Sequence, residues 1–227
     1  MNYMFCAAVL AVLVIVLAYY FVTRTHTDQY VIKGMVVNVI SDFDNKEDAM
    51  RLVMECNRRM LLLLAYLRRK YKIGATDSEC ARDCMQWMRA HAEGREVVRH
   101  LLRDFNYEVI YEFQPAPGAK SVAYSLDKGR KIMLCLREQA NPRNIVDIDT
   151  LMFVVLHEAA HIANYEEWGH EEKFWSIFKY LLEEAAQLGV YAPVDYARAP
   201  KNYCGFHLNH NPLFDARIES FAKYMAN

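Results

Sequence analysis

The strongest constraint on the fold is a pair of histidines, His157 and His161, that follow an uninterrupted apolar run, LMFVVL. Residues four positions apart lie on one face of a helix, about 5–6 Å apart between Cβ atoms, so the two imidazoles can point at one site. Asp149 or Thr150 can cap this helix, and its apolar run predicts that it is buried. Buried imidazoles need polar partners, and a metal ion can supply them.

The residue types on this helix are those of a metal-dependent hydrolase. Two histidine nitrogens can bind one zinc ion at about 2.0–2.1 Å each, and a catalytic zinc keeps one position open for water. Glu158 lies one step round the helix from His157, where it can act as a general base towards that water. The pattern HEAAH therefore predicts a site for one zinc ion with Glu158 as the catalytic residue.

A catalytic zinc site needs a third protein ligand, and the sequence offers several. His170 follows His161 by nine positions, directly after Gly169 and at the start of an amphipathic segment. We predict His170 as the ligand, because a chain reversal at Gly169 would bring it back to the histidine pair; alternatively, His170 only packs or caps a helix. The other candidate ligands are Glu166, Glu167, Glu171, Glu172, His207 and His210.

HEAAH and GHEEKFW, with the preceding run YSLDKGRKIMLCLRE, resemble motifs of the minimal zincin metallopeptidases of the SprT-like, WLM and YgjP-like groups. Residues from about 107 to 206 are most similar to uncharacterised metallopeptidases of large nucleocytoplasmic DNA viruses. The resemblance implies a zincin-like α+β fold, in which a small antiparallel or mixed sheet packs on the HEAAH helix and flanking helices. It also implies an endopeptidase in which His157, His161 and His170 bind zinc and Glu158 is the base.

Three short β-runs precede the histidine helix, at residues 107–113, 121–126 and 131–138. An extended peptide substrate can pair with a strand edge beside the zinc, which needs little sequence specificity. We expect the third run to provide that edge. The predicted edge residues are Lys131, Ile132, Met133, Leu134 and Cys135.

Peptide hydrolysis also benefits from a hydrogen-bond donor placed opposite the base, where it can stabilise the oxyanion of the transition state. Several side chains downstream of the zinc helix could act as this donor, and their spacing does not choose among them. The candidates are Tyr191, Tyr196, Tyr203, His207 and His210.

The N-terminus is strongly apolar. Residues 1–23 carry no charged side chain, and about 20 such residues can cross the hydrocarbon core of a membrane. This predicts an N-terminal transmembrane helix rather than a cleaved signal peptide, since no basic residue precedes the run. Arg24 and Lys33 follow this run, which predicts that the C-terminal domain lies in the cytosol. We therefore expect a single-pass protein of a virion or host membrane.

The remaining chain reads as one zincin-like domain after a connector. We divide the sequence into a transmembrane anchor over 1–23, a connector over 24–45, and a domain over 46–227 with a helical part (46–104) and a sheet and zinc-site part (105–227). The run 30–40 in the connector can form a strand. The six cysteines contain no CxxC motif, and we expect partly buried free thiols.

The charge distribution bears on the partners. A net charge of −1 argues against a general affinity for nucleic acid, although residues 46–104 carry 13 basic against 9 acidic side chains. The sequence thus favours a membrane-anchored zinc endopeptidase that acts on peptides or proteins. Two alternatives stay open: a catalytically silent adaptor with the zincin fold, and a protease of DNA-bound proteins.

Overall fold

The computed structural model describes residues 27–32, 34–74, 82–106, 108–116, 118–119, 121–126, 129–165 and 169–225. The strands are β1 (Thr27–Ile32), β2 (Met35–Ile40), β3 (Val109–Glu112), β4 (Ala123–Leu126), β5 (Lys131–Leu134), β6 (Lys201–Tyr203) and β7 (Phe206–Leu208). The helices are α1 (Lys46–Lys70), α2 (Arg82–Ala90), α3 (Ala92–Asp104), α4 (Ile148–Ala163) and α5 (Glu172–Gln187). Two 3-10 helices follow, at Pro212–Phe214 and Phe221–Met225.

Five strands form a mixed sheet in the order β1-β2-β3-β5-β4. The three central strands β2, β3 and β5 are parallel, and the two outer strands, β1 and β4, are each antiparallel to their neighbour. Residues 27–40, which lie in the predicted connector, supply β1 and β2. The small β6–β7 hairpin forms a separate two-stranded sheet.

The histidine-bearing helix α4 is the centre of the molecule. It packs against α1, α3, α5 and β4, and twelve of its sixteen residues are buried. Its N-cap is Asp147, whose carboxylate accepts hydrogen bonds from the backbone N–H and the hydroxyl of Thr150 at 3.0 and 2.8 Å. The predicted caps, Asp149 and Thr150, instead lie in the first turn, because the helix begins earlier than the apolar run indicates.

A fully buried ion pair joins two parts of the sheet region. Arg137, just after β5, donates from Nε to Glu112 Oε1 at 2.6 Å, and Glu112 Oε2 accepts from the backbone N–H of Ile40 at 2.8 Å. The Arg137 guanidinium also lies over the Phe43 ring, 4.3 Å from its centroid. Removing one partner of such a pair leaves an uncompensated buried charge, so the pair ties β2, β3 and the segment after β5 together.

The fold class and the localisation predicted from the sequence both need correction. Within the described ranges, no helix is both long and apolar enough to cross a membrane. The longest, α1, has 25 residues but carries charged side chains along its length, and α4 and α5 have 16 residues, about 24 Å against a hydrocarbon core of about 30 Å. The described residues therefore form a mixed α+β fold, and none of their helices supports a single-pass membrane protein. The segment assigned to that helix, 1–23, lies outside the described residues.

The expectation of free thiols is wrong for most of the described cysteines. Cys135 and Cys204 form a disulfide with Cα atoms 6.3 Å apart, and Cys84 is also disulfide-bonded. Cys56 is free and buried. The Cys135–Cys204 disulfide joins the end of β5 to the turn between β6 and β7, a pairing that no local sequence pattern indicates.

Candidate metal and catalytic site

Three imidazole nitrogens converge at one point beside α4. The Nε2 atoms of His157, His161 and His170 are 3.1–3.2 Å from one another, and this is the one cluster of three potential metal ligands found among the described residues. His157 and His161 lie one turn apart on α4. His170 comes from the segment just before α5 and closes the triangle.

The triangle has the dimensions of a zinc site. Its sides of 3.1–3.2 Å are close to the separation of about 3.3 Å expected between nitrogens that each lie about 2.0–2.1 Å from one tetrahedral ion. Each of these nitrogens carries either a proton or a lone pair, so it can either donate or accept a hydrogen bond. The three nitrogens therefore cannot all be satisfied by hydrogen bonds to one another. Three convergent lone pairs with an open side therefore fit one tetrahedral cation and a fourth, exchangeable ligand.

A cluster of aromatic rings holds the three imidazoles in place. The buried Phe174 contacts all three: its ring stacks on His161 with centroids 4.3 Å apart and meets His157 and His170 edge-on at 4.9 and 4.6 Å. Phe178 and Trp175, also on α5, contact His157 and His170 respectively. The FW pair of α5 thus fixes the ring orientations that bring the nitrogens together.

Burial sets the protonation of the histidines on α4. It lowers the pKa of His157 to about 3, with further lowering by the nearby His161 and His170. Burial, followed by the charge of His170, lowers the pKa of His161 to about 4. Both imidazoles are therefore neutral at neutral pH, and each has a lone pair available for a metal.

Glu158 is buried next to this cluster, and its pKa is raised, whereas the pKa values of His157 and His161 are lowered. Burial raises the pKa of Glu158 to about 7, although a hydrogen bond from the backbone N–H of Ser125 at 3.1 Å lowers it. A carboxyl group poised near neutral pH suits a general base. A cation at the histidines would favour its ionised form.

The strand at the edge of the sheet is β4, not the predicted β5. β5 lies between β3 and β4 and pairs with both, from Ile132 to Leu134 on one side and Lys131 to Leu134 on the other. The predicted edge residues, Lys131, Ile132, Met133, Leu134 and Cys135, are therefore at or beyond an internal strand. The prediction failed because three β-runs in sequence do not reveal that the second, β4, turns back to the outside.

The predicted transition-state donors do not converge on the histidines as a set. The Tyr203 hydroxyl donates to the Cys135 carbonyl at 2.8 Å, the Tyr191 hydroxyl accepts from Asn211 at 3.1 Å, and Tyr196 packs on Phe153. Burial raises the pKa of all three hydroxyls, that of Tyr196 to about 12.

The two predicted histidine donors lie outside the cluster. His207 is exposed and lies 3.2 Å from the Asn202 side chain, and His210 lies 3.1 Å from Asp215. His210 comes nearest, because its ring meets Trp175, which in turn contacts His170. Of the five candidates, only Tyr203 lines the cleft.

The remaining candidate ligands are not part of the cluster. Glu171 and Glu172 begin α5 and are absent from the described metal-ligand group, and Glu166 and Glu167 lie outside the described residues. Of the candidates among the described residues, only His170 lies with His157 and His161.

The basic helix α1 uses part of its charge within the protein. Arg58 and Arg59 both pair with Glu55, and Arg59 also reaches Asp149 at 3.1 Å. These ion pairs neutralise part of the basic charge of α1 within the protein.

The histidines and Glu158 open into a cleft of about 410 Å³ between α4, β4 and the β6–β7 hairpin. Asn164, the C-cap of α4, also lines this cleft. Its side chain is buried, and neither its oxygen nor its nitrogen has a hydrogen-bond partner among the described residues. Sequence reasoning missed Asn164, although its position seven residues after His157 places it on the same helix face.

The sequence profile of the WLM domain matches residues 73–198, more than half of the chain. The uncharacterised protein R325 of Acanthamoeba polyphaga mimivirus is 26% identical over 215 residues, which cover 93% of this chain and 98% of that protein. Uncharacterised protein 136R of invertebrate iridescent virus 6 is 37% identical over 100 residues, and 042R of invertebrate iridescent virus 3 is 43% identical over 84. These matches cover 44% and 36% of this chain and about half of the two relatives, 53% and 48%.

Among solved structures, Wss1 from Saccharomyces cerevisiae is similar with a TM-score of 0.44 and 20% identity, over 67% of this chain and 88% of that chain. A mutant of Wss1 gives the same TM-score, with 21% identity over 68% and 94% of the two chains. No functional conclusion follows from so weak a structural likeness. The predicted relation to WLM proteins and to viral proteins is confirmed by the profile and the sequence relatives.

Proposed function

The chain belongs to the WLM family, a metallopeptidase-type family, and on that premise we propose that it is a zinc-dependent endopeptidase. The observation that carries this proposal is the convergence of the Nε2 atoms of His157, His161 and His170 within 3.2 Å of one another, next to the buried carboxyl of Glu158. Three imidazole nitrogens and one base form the set that metal-assisted hydrolysis needs.

Each protein group has a definite task in this reaction. The three histidines would hold the zinc, whose chemistry when bound is to polarise the scissile carbonyl and to make a water more acidic. Glu158 accepts a proton from the attacking water at its carboxylate. It then donates this proton to the nitrogen of the leaving amine, so that its raised pKa serves both halves of the reaction.

The open edge of β4 is the place for the substrate backbone. The N–H and C=O of one residue in an antiparallel strand point to the same side, and alternate residues point to opposite sides. Since the Ser125 N–H reaches Glu158 at 3.1 Å, the peptide groups of Ser125 and Ala123 face away from β5. An extended peptide that pairs with this edge would pass beside Glu158 and the histidines.

The proposal is tested with Glu158→Gln and His170→Ala in the full chain. We expect Glu158→Gln to keep its zinc and to lose at least about 100-fold in the rate of casein hydrolysis, because only the proton transfer is removed. His170→Ala should lose zinc during dialysis against a chelator. Elemental analysis measures the bound zinc of each variant, and the release of acid-soluble peptides measures casein hydrolysis.

His207→Ala is the matched control, since His207 is exposed and lies outside the cluster, and it should keep both zinc and activity. Full activity in Glu158→Gln would contradict the assigned base. Full zinc retention in His170→Ala would move the third ligand to one of the carboxylates. Zinc binding without hydrolysis by the wild-type chain would instead favour the catalytically silent adaptor.

A further inference from the structure

We propose that the cleft contains a subsite for one large apolar side chain of the substrate, and that Phe206 is a specificity-determining residue of this subsite. This inference rests on the proposed peptidase function and names the class of peptide that the site accepts. It depends on the composition of the cleft wall, the position of the β6–β7 hairpin and the contacts that hold this hairpin.

The wall of the cleft opposite β4 is apolar. Phe153 and Val154 on α4 line it together with Tyr203, Phe206 and Leu208 of the hairpin. Apart from the histidines and Glu158, no described residue that lines the cleft carries a charge. The Tyr203 hydroxyl already donates to the Cys135 carbonyl at 2.8 Å, so it adds no free polar group to this wall.

This composition selects against charged side chains. A charged group that enters the cleft loses hydration without meeting an opposite charge, apart from the catalytic groups themselves. An apolar side chain gains roughly 25 cal/mol for each Å² that it buries. A volume of about 410 Å³ lies in the range of sites that enclose a small ligand, about 300–1,000 Å³.

Phe206 occupies the rim of this wall. Its side chain is 48% exposed, although large aromatic residues are usually buried for most of their surface. Phe206 is paired with Tyr203 across the hairpin and lies two residues before Leu208, so the three side chains share one face. His207 points to the other face, which explains why it lies outside the cleft.

The hairpin that carries Phe206 is held in a fixed position. Its two-residue turn consists of Cys204 and Gly205, with φ angles of +53° and +85°, as a type I′ turn requires. The disulfide from Cys204 to Cys135 joins this turn to the end of β5, and a Cβ on Gly205 would come within 2.3 Å of the Gln139 side chain. An exposed aromatic ring on an immobilised turn is pre-organised to contact a ligand.

The test uses blocked pentapeptides, acetyl-Ala-Ala-X-Ala-Ala-amide, in which X is Phe, Leu, Ala, Asp or Lys. Binding to the zinc-loaded Glu158→Gln protein is measured by calorimetry, and cleavage of the same peptides by the wild-type protein is measured by chromatography. We expect peptides with Phe or Leu to bind and react at least about 10-fold better than those with Asp or Lys.

Phe206→Ala should weaken binding of the Phe and Leu peptides about 5- to 10-fold and leave the Ala peptide unchanged, while Phe206→Leu should restore most of the preference. The control is Phe214→Ala. Phe214 is similarly exposed, at 52%, but does not line the cleft, so this variant should behave as wild type. Equal affinity for all five peptides, or equal effects of the two alanine variants, would overturn the subsite.

The two readouts separate this inference from the proposed function. A binding preference that depends on Phe206, without any cleavage, would support the subsite while the peptidase proposal fails. Cleavage of all five peptides at equal rates would overturn the subsite and leave the peptidase proposal intact.

Discussion

The cleft has a helical wall, formed by α4 together with His170 just before α5, and a hairpin wall, formed by β6 and β7. The three convergent imidazole nitrogens of the helical wall come from residues 157–170, and one ring, Phe174, contacts all three. The hairpin wall is joined to the sheet by a disulfide between residues 69 positions apart. Local helical spacing thus brings His157 and His161 together, whereas a long-range disulfide holds the hairpin wall. Substitutions that disturb the helical wall should therefore lower the affinity for zinc, and substitutions in the hairpin wall should not.

The largest effect is expected at Phe174. Phe174→Ala removes a buried ring and leaves a cavity, and we expect the free energy of unfolding to fall by about 3–5 kcal/mol. Because the ring orients all three imidazoles, zinc affinity should also fall by about 10- to 100-fold. Urea unfolding and competition with a chelator measure the two quantities.

Phe178→Ala serves as the matched comparison for this variant. Phe178 is also buried on α5 but contacts only His157 among the histidines, so a similar loss of stability should come with a smaller loss of zinc affinity. Equal zinc affinity in Phe174→Ala and wild type would show that α4 and the connection to α5 orient the imidazoles without this ring.

The second largest effect should follow removal of the hairpin disulfide. The double variant Cys135→Ala, Cys204→Ala releases a constraint on a loop of 69 residues, and we expect the free energy of unfolding to fall by about 2–4 kcal/mol. Zinc affinity should stay within about threefold of wild type, because the histidines lie in the other wall. Wild-type protein treated with a reductant should lose at least as much stability as the variant, because the reductant also opens the disulfide of Cys84. A large loss of zinc affinity would show that the hairpin wall also positions the histidines.

The smallest effect concerns Asp147, which connects the two walls. Its carboxylate caps α4 through Thr150 and pairs with Lys201 of β6. Burial alone would raise the pKa of Asp147, but the hydrogen bonds from Lys201 and Thr150 outweigh it, so its pKa lies below the ordinary value. Replacing an N-cap residue by alanine typically costs about 0.5–2 kcal/mol, and Asp147→Asn should cost less because asparagine also caps helices.

The pH dependence of Asp147→Asn gives the sign of this interaction. A carboxyl group with a lowered pKa stabilises the folded state when ionised, and this contribution is lost as the pH falls. The stability difference between wild type and Asp147→Asn should be complete above about pH 4 and should disappear at lower pH. Thermal unfolding at several pH values measures it. A difference that persists unchanged at the acid end would assign the effect to shape rather than to charge.

Features that depend on residue spacing within one helix or strand were predictable from the sequence. The four-residue interval between His157 and His161, the apolar run before them and the neighbouring FW pair of α5 placed one metal cluster on a buried helix. The three β-runs were also found at their observed positions. The order of the strands was not, because pairing depends on contacts between distant segments: β5 was expected at the edge but β4 lies there.

Burial and long-range contacts account for the remaining differences. The tyrosines and histidines that follow the zinc helix were equivalent as candidate donors in the sequence. In the structure, the Tyr203 hydroxyl donates to the Cys135 carbonyl, and His207 faces outward. The apolar N-terminal run led to a transmembrane fold class, while the described helices are too short or too charged to cross a membrane.

The sequence alone determined which atoms can do chemistry, since helical periodicity fixes which side chains share a face regardless of the rest of the fold. Only the tertiary structure decided what surrounds them: the ring of Phe174 behind the imidazoles, the open edge of β4, and the hairpin that carries Phe206. These depend on packing and on a disulfide between residues far apart in the chain, and no local pattern of residues specifies such partners.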